Sequence, residues 1–323
     1  MLIDNLQYAN WSRRIFQQMR DGGVDAVHVT VAYHEDFKAC IDQLALWNRR
    51  FEDHGDLIMR ATSASDVRAA RASGRTAIVL GSQTPTPIGD DIGLIEILHQ
   101  LGLRFMQLSY DNQSLLASGC REEEDTGLTR FGHQAVREMN RVGLVIDMSH
   151  SGERSTLETI EHSQRPIAIT HANPAGWYPA RRNVSDAVLD ALMASGGMLG
   201  LSLHPRHLKG EADCTLDSFC GMVVDLVDRY GARQIGLGSA LCQGQPDSVA
   251  GWMRNGKWTK RAEDAGNDEG PPAFPKMPTW FWDNRDFTGI QDGLVGAGLD
   301  RAAIDGIMGE NWLRFYGSNF GPT

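Results

Sequence analysis

The chain has 323 residues, 41% of them hydrophobic and 22% charged, which is enough to bury a large core and ordinary for a soluble globular protein. Its formal charge of −10 gives no support to a nucleic-acid surface or a general phosphate-binding surface. Cys40, Cys120, Cys214, Cys220 and Cys242 are odd in number, scattered and without CxxC spacing, which disfavours a disulfide scaffold and suits a reduced, cytoplasmic setting.

Short apolar runs alternate with longer amphipathic segments almost throughout. Strands are expected over 2–6, 26–32, 76–81, 104–110, 143–150, 166–171, 198–203 and 234–239. Helices are expected between them over 12–22, 37–54, 65–72, 91–101, 132–141, 155–163, 184–194 and 214–230. In the second of these, Phe37, Ile41 and Leu44 fall on one apolar face. Eight strands with helical connections favour a closed (β/α)8 TIM barrel over an open doubly wound sheet. The stretch 243–286 breaks the rhythm, with Trp252, Trp258, Trp280 and Trp282 among charges and Gly270-Pro271-Pro272. It reads as a loop or lid inserted in a single barrel domain covering 1–323. Helices over 289–296 and 301–315 then close the chain, with Trp312 and Phe315 able to anchor it. Neither a leader peptide nor an apolar run of about 18 residues is seen, so no membrane association is expected.

Two of the expected strands end in histidine. His150 follows Gly143-Leu144-Val145-Ile146-Asp147-Met148, and His171 follows Pro166-Ile167-Ala168-Ile169-Thr170. At a barrel's strand exits, such imidazoles can bind metal, move protons, orient a ligand or simply be structural. Ser82-Gln83-Thr84 is not a serine-hydrolase elbow, and no well-placed GxGxxG is present.

His150, His171 and Arg181-Arg182-Asn183-Val184 resemble the membrane, or renal, dipeptidase family of metallopeptidases. Gly127-Leu128-Thr129-Arg130-Phe131-Gly132, Glu138-Met139-Asn140-Arg141-Val142-Gly143 and Gly309-Glu310-Asn311-Trp312 extend the likeness over nearly the whole chain. The resemblance implies a (β/α)8 barrel with a two-zinc site that cleaves dipeptides and related small amides. It further implies a His and an Asp after the first strand, a Glu after the third, and a His after the fifth and the sixth. Here those positions hold Leu6, Tyr8, Gln83, His150 and His171, so two keep metal-binding types. Gln83 can offer a neutral carbonyl oxygen but no bridging charge. Tyr110 replaces a histidine near the reacting carbonyl, and Gly238-Ser239-Ala240-Leu241-Cys242 lacks an aspartate suited to a substrate amine.

The resulting expectation is a divergent amidohydrolase acting on a small dipeptide or N-acyl amino acid. His150 and His171 would hold one zinc or other divalent metal, rather than a full dinuclear site, with Asp111 or Asp4 as possible further ligands. Gln83 and Tyr110 would orient water or polarise the carbonyl, while Arg182, with Tyr8 beside it, would bind the substrate. The competing role for Arg182 is a salt bridge to Asp186, and for Gln83, Tyr110 and Tyr8 a satisfied polar network. Cys242 could ligate or attack but reads more simply as structural, as does each tryptophan individually. The alternative function is a catalytically inactive metabolite-binding or regulatory barrel, and a metal-independent lyase or isomerase is a further enzyme class. The resemblance is also compatible with a homodimer.

Overall fold

Apolar runs that are buried on both faces can satisfy their backbone groups only in a sheet wrapped by helices. A computed structural model describes residues 1–256 and 273–321 and shows this arrangement. The strands are β1 (Ile3–Ala9), β2 (Ala26–Ala32), β3 (Ile58–Arg60), β4 (Thr76–Ser82), β5 (Leu103–Gln107), β6 (Val145–Asp147), β7 (Ala168–Ala172), β8 (Met198–Leu201), β9 (Ile235–Leu237) and β10 (Leu241–Gln243). Around them lie α1 (Arg13–Asp21), α2 (Phe37–Asp53), α3 (Ala64–Ala72), α4 (Gly93–Gln100), α5 (Arg130–Val142), α6 (Glu153–His162), α7 (Asp186–Ala194) and α8 (Leu216–Tyr230). Four helices follow: α9 (Asp247–Asn255), α10 (Phe287–Gly296), α11 (Arg301–Asp305) and α12 (Asn311–Asn319).

Among the described residues the pairings between these strands are all parallel, in the order β1-β2-β4-β5-β6-β7-β8-β9, and β1 pairs again with β9 to close an eight-stranded barrel. The (β/α)8 expectation holds. β1, β2, β4 and β7 are buried at every position, as strands covered on both faces must be. Two short strands were not expected. β3 lies outside the ring on β4, and β10 continues past β9 against the second half of β1, pairing Gln7 with Leu241. Between β9 and β10 the backbone bends at Ala240, whose φ is +53°. Ser239 there gives both its amide (2.6 Å) and its hydroxyl (2.5 Å) to Asp4.

Helix starts follow the capping rules. Asp36, Ser63, Thr129, Ser185 and Thr215 each accept an amide of the first turn with their side chain. The expected helix over 301–315 is broken: α11 and α12 are separated by a wide turn, Gly306–Glu310, where Gly309 is extended. This break swings α12 under the end of the barrel where the strands begin. Trp312 and Tyr316 are fully buried there against Ile3, Ala77, Val79, Phe105 and Met198. The Trp312 indole donates to the Leu237 carbonyl (2.9 Å), and a Cβ on Gly236 would fall 2.3 Å from the indole nitrogen. One end of the barrel is thus plugged, and the open end is left for chemistry.

The region expected as a lid contains α9 and a segment from Ala273 that leads to α10; Trp258 and Gly270-Pro271-Pro272 lie outside the described residues. Trp252 donates to Glu35, Trp280 packs on Phe219 and donates to the Cys214 carbonyl, and Trp282 is exposed. All five cysteines are free. Among the described residues, no helix is long and apolar enough to cross a membrane.

Candidate active site

A cavity of about 670 Å³ opens at the strand exits, and Tyr8, Gln83, Tyr110, His150, His171 and Arg182 all line it. The six residues singled out from the sequence therefore share one space. β4 delivers Gln83, the exit of β6 delivers His150, and β7 delivers His171. His150 is 7% exposed and His171 2%, so both imidazoles are withdrawn to the floor.

The two rings meet through their Nε2 atoms, 3.1 Å apart, and Gln83 Oε1 lies 2.9 Å from His150 Nε2. Their other atoms determine what these three carry. Gln83 Nε2 donates to Thr30 Oγ1 (2.7 Å), which turns its carbonyl oxygen toward the histidines. His150 Nδ1 gives its proton to Asp111 Oδ1 (2.7 Å), leaving its Nε2 bare. Thr170 uses its hydroxyl proton on Asp147 Oδ2 (2.7 Å), so His171 Nδ1 must donate to Thr170 Oγ1 (2.8 Å) and its Nε2 is bare too. Three lone pairs converge with no proton of their own among them. Such a cluster could accept a shared cation.

Electrostatics keep the rings neutral. Burial, then the nearby Arg182, pushes His150 down to about 4, and the same two causes hold His171 well below its usual value. Burial alone would raise Asp111, but His150, Arg121 and Arg182 outweigh it and keep the carboxyl ionised. Asp111 occupies the apex of a tight turn, with φ +57° and the Asn112 amide bonded back to the Tyr110 carbonyl. That turn also lays the Tyr110 ring on His150, with centroids 4.3 Å apart.

Several side chains weighed as ligands or partners are engaged elsewhere or unsuited to the task. Asp4 is no metal ligand here; both its oxygens are taken by Ser239 and one also by Gln7, in the seam between β1 and β9. Burial raises the Tyr8 and Tyr110 hydroxyls well above the ordinary phenol range, so both stay protonated and neither offers a phenolate. Leu6 packs with Tyr8 and Ala240 in an apolar cluster where a ligand might otherwise stand. Arg182 has no bridge to Asp186, which pairs with Arg229 at 2.9 Å; it lies 3.8 Å from Asp111 and its guanidinium reaches the His171 carbonyl at 3.5 Å. Burial pushes the Cys242 thiol up to about 12, which makes it a poor ligand and nucleophile.

The sequence reading missed His204 and His207, both lining the cavity just past β8. Their rings lie 4.8 Å apart, and His207 Nδ1 is 2.8 Å from Ser202 Oγ. The His-x-x-His spacing at a strand exit was the available signal. The donor set suits one cation and not two. Among the described residues, no three His, Cys, Asp or Glu side chains gather in a metal-holding cluster, so a cation at His150 and His171 would take a third donor from Gln83.

A family model for membrane dipeptidases, peptidase family M19, matches residues 6–259. Dipeptidase tcpJ of Claviceps purpurea is 30% identical over 230 residues, 70% of this chain and 53% of that protein. The chain matches about half the length of the curated dipeptidases it resembles. An amidohydrolase from Pseudomonas aeruginosa superposes with a TM-score of 0.92 at 31% identity, over 99% of this chain and 96% of that one. At 19% identity, dipeptidase AC, an M19 metallopeptidase, shares the fold with a TM-score of 0.80, over 99% and 100% of the two chains. With its barrel, its paired histidines at the exits of β6 and β7, and this match across most of its length, the chain belongs to the membrane dipeptidase family, M19.

Proposed function

We propose that the protein is a divergent M19 amidohydrolase that cleaves the amide of a small dipeptide or N-acyl amino acid with one divalent metal, zinc being the first candidate. The observation that carries this reading is the meeting of His150 Nε2, His171 Nε2 and Gln83 Oε1 as bare acceptors. A divalent cation held there would acidify a bound water and polarise the scissile carbonyl.

The chain's own groups do the rest. Asp111 fixes the His150 ring through its Nδ1 proton, and the Asp147–Thr170 pair does the same for His171. The protonated Tyr110 hydroxyl can donate to the carbonyl oxygen of a ligand without carrying charge. Arg182, 8% exposed and lining the cavity, can grip a substrate carboxylate through charge-assisted hydrogen bonds. Tyr8 borders the same space and supplies ring surface and a neutral hydroxyl.

A second reading, a binding barrel without catalysis, is favoured by the packing of Leu6, Tyr8 and Ala240 at the ligand positions after the first strand. Metal analysis separates the two. Protein prepared without added metal or a metal-binding tag should carry about one divalent ion per chain, lost in His150→Ala, and should hydrolyse members of a dipeptide and N-acyl amino acid panel. Metal-free protein that binds such compounds intact would replace the first reading with the second.

A further inference from the structure

The cavity holds a second pair of imidazoles whose hydrogen bonding runs the other way. His204 and His207 both line the space just past β8, with ring centroids 4.8 Å apart. Ser202 sets the tautomer of His207. Its fully buried hydroxyl oxygen accepts the His204 amide (3.2 Å) and lies 2.8 Å from His207 Nδ1. Among the described residues the hydroxyl has no other acceptor, so it donates to that nitrogen, and the ring proton of neutral His207 sits on Nε2. Thr170 forces the reverse on His171, because its own hydroxyl proton is taken by Asp147. The cavity floor thus offers bare nitrogens, and the exit of β8 offers an N–H. Burial, then His204 and Arg182, hold His207 well below its ordinary value, so the ring donates without carrying charge. Among the described residues His207 Nε2 meets no partner and is not sealed away from the cavity.

Two asparagines hold this donor in a fixed frame. Asn173, just beyond His171, donates through Nδ2 to the carbonyls of Ser202 (2.9 Å) and His207 (3.1 Å), and its Oδ1 accepts the Ser202 amide (3.1 Å). Asn183, next to Arg182, donates to the same His207 carbonyl (3.0 Å) and accepts the Asn173 amide (3.1 Å). All four residues are buried, so the network clasps the exit of β8 to the loop that carries Arg182.

We propose that His207 is a substrate-binding residue: its Nε2–H donates to the carboxylate that Arg182 holds, so the site reads this group with one charged and one neutral donor. The assignment rests on the amide-cleaving site proposed above, where the cation position and the Tyr110 hydroxyl already serve the scissile carbonyl. The carboxylate is then the ligand group left for the side on which the loops after β7 and β8 are clasped. A hydrogen bond from a neutral donor to an ionised acceptor is stronger than one to a neutral acceptor, which favours an acid over its amide.

Heteronuclear NMR of the histidine rings in the full chain tests the claim. The probe is the ketomethylene isostere of N-acetyl-alanine, which cannot be cleaved, in both configurations and beside its carboxamide. Free His207 should carry its proton on Nε2. The carboxylate should move that proton downfield and slow its exchange with water, and the carboxamide should do so less. His207→Phe should weaken binding of the carboxylate about tenfold, while His207→Gln, which keeps an N–H, should retain most of the affinity. Thermal melts verify folding of both variants, and the NMR readout on the natural protein stands without them. A proton on Nδ1, an Nε2 signal indifferent to the carboxylate, or a His207→Phe variant that binds as tightly as the natural protein would overturn the proposal. Cleavage of N-acetyl-alanine is followed separately. A His207 response in protein that cleaves no amide would sink the hydrolytic reading alone, and cleavage with an unresponsive His207 would sink this one alone.

Discussion

Asp4 shows how a residue can carry the signature of a functional group and serve the scaffold. Burial raises its carboxyl to about 6 against the donors that surround it. A carboxyl raised on folding keeps its proton while the unfolded chain has already lost its own. Between pH about 4 and about 6 the folded state therefore binds more protons, and stability falls as pH rises through that window. A shift of about two units corresponds to about 3 kcal/mol. The stability of the natural protein relative to Asp4→Asn, measured by urea unfolding, should decline by about that much from pH 4 to pH 7 and then level off. A difference that is flat across this range would mean Asp4 is charged on both sides of the transition. Histidines that burial drives below their normal value act in the opposite sense, which is why the comparison with the variant is needed. At this scale His150 and His171 were legible, because a histidine closing a buried apolar run has few other reasons to be there. Asp111 was named as one of two possible ligands, and its true part, orienting His150, depends on a positive-φ turn that no residue pattern announces.

Elements were legible in proportion to their length and burial. The strands around 26–32, 76–81 and 198–203 were read within two residues of their ends because continuous burial leaves unbroken apolar runs. β5 was read three residues too far, since Leu108-Ser109-Tyr110 still looks like strand while the chain is already turning toward Asp111. β3 and β10 escaped notice because three residues, partly exposed, carry no periodicity to detect. The clasp of Asn173 and Asn183 escaped for another reason: its partners lie in the loop after β8, and the meeting exists in space alone. The loop after β5 offers a test of how backbone shape serves the site. A Cβ on Gly119 would fall 1.9 Å from the Asp111 carbonyl oxygen, so Gly119→Ala must move the turn that aims Asp111. It should cost about 1–3 kcal/mol in unfolding experiments and loosen metal retention in the folded protein. Retention as tight as in the natural protein would show that His150 needs no such alignment.

Across the whole molecule, the aromatic plug and the cavity occupy opposite ends of the barrel. Trp312 is fully buried among the strand beginnings, and its removal leaves a large void. Trp312→Ala should lower stability by about 3–5 kcal/mol and the thermal midpoint with it. Below the midpoint, ligand affinity at the open end should change little, because the cavity lining includes no residue of α12. A loss of affinity matching the loss of stability would show instead that the plug shapes the site. The recognition of an eight-stranded barrel from alternation alone succeeded because each crossover must return to the same side, which leaves few ways to close a parallel sheet.

The closing seam has a bearing on biosynthesis. Of the barrel strands β1 is made first, yet one of its flanks waits for β9 and β10, and the floor beneath it waits for α12. Until α12 has been made, the growing chain must hold an open, apolar strand edge and an unsealed interior. Maturation of this barrel is therefore a late event, completed once α12 has been delivered, and truncation ahead of α12 should yield aggregate rather than a smaller barrel.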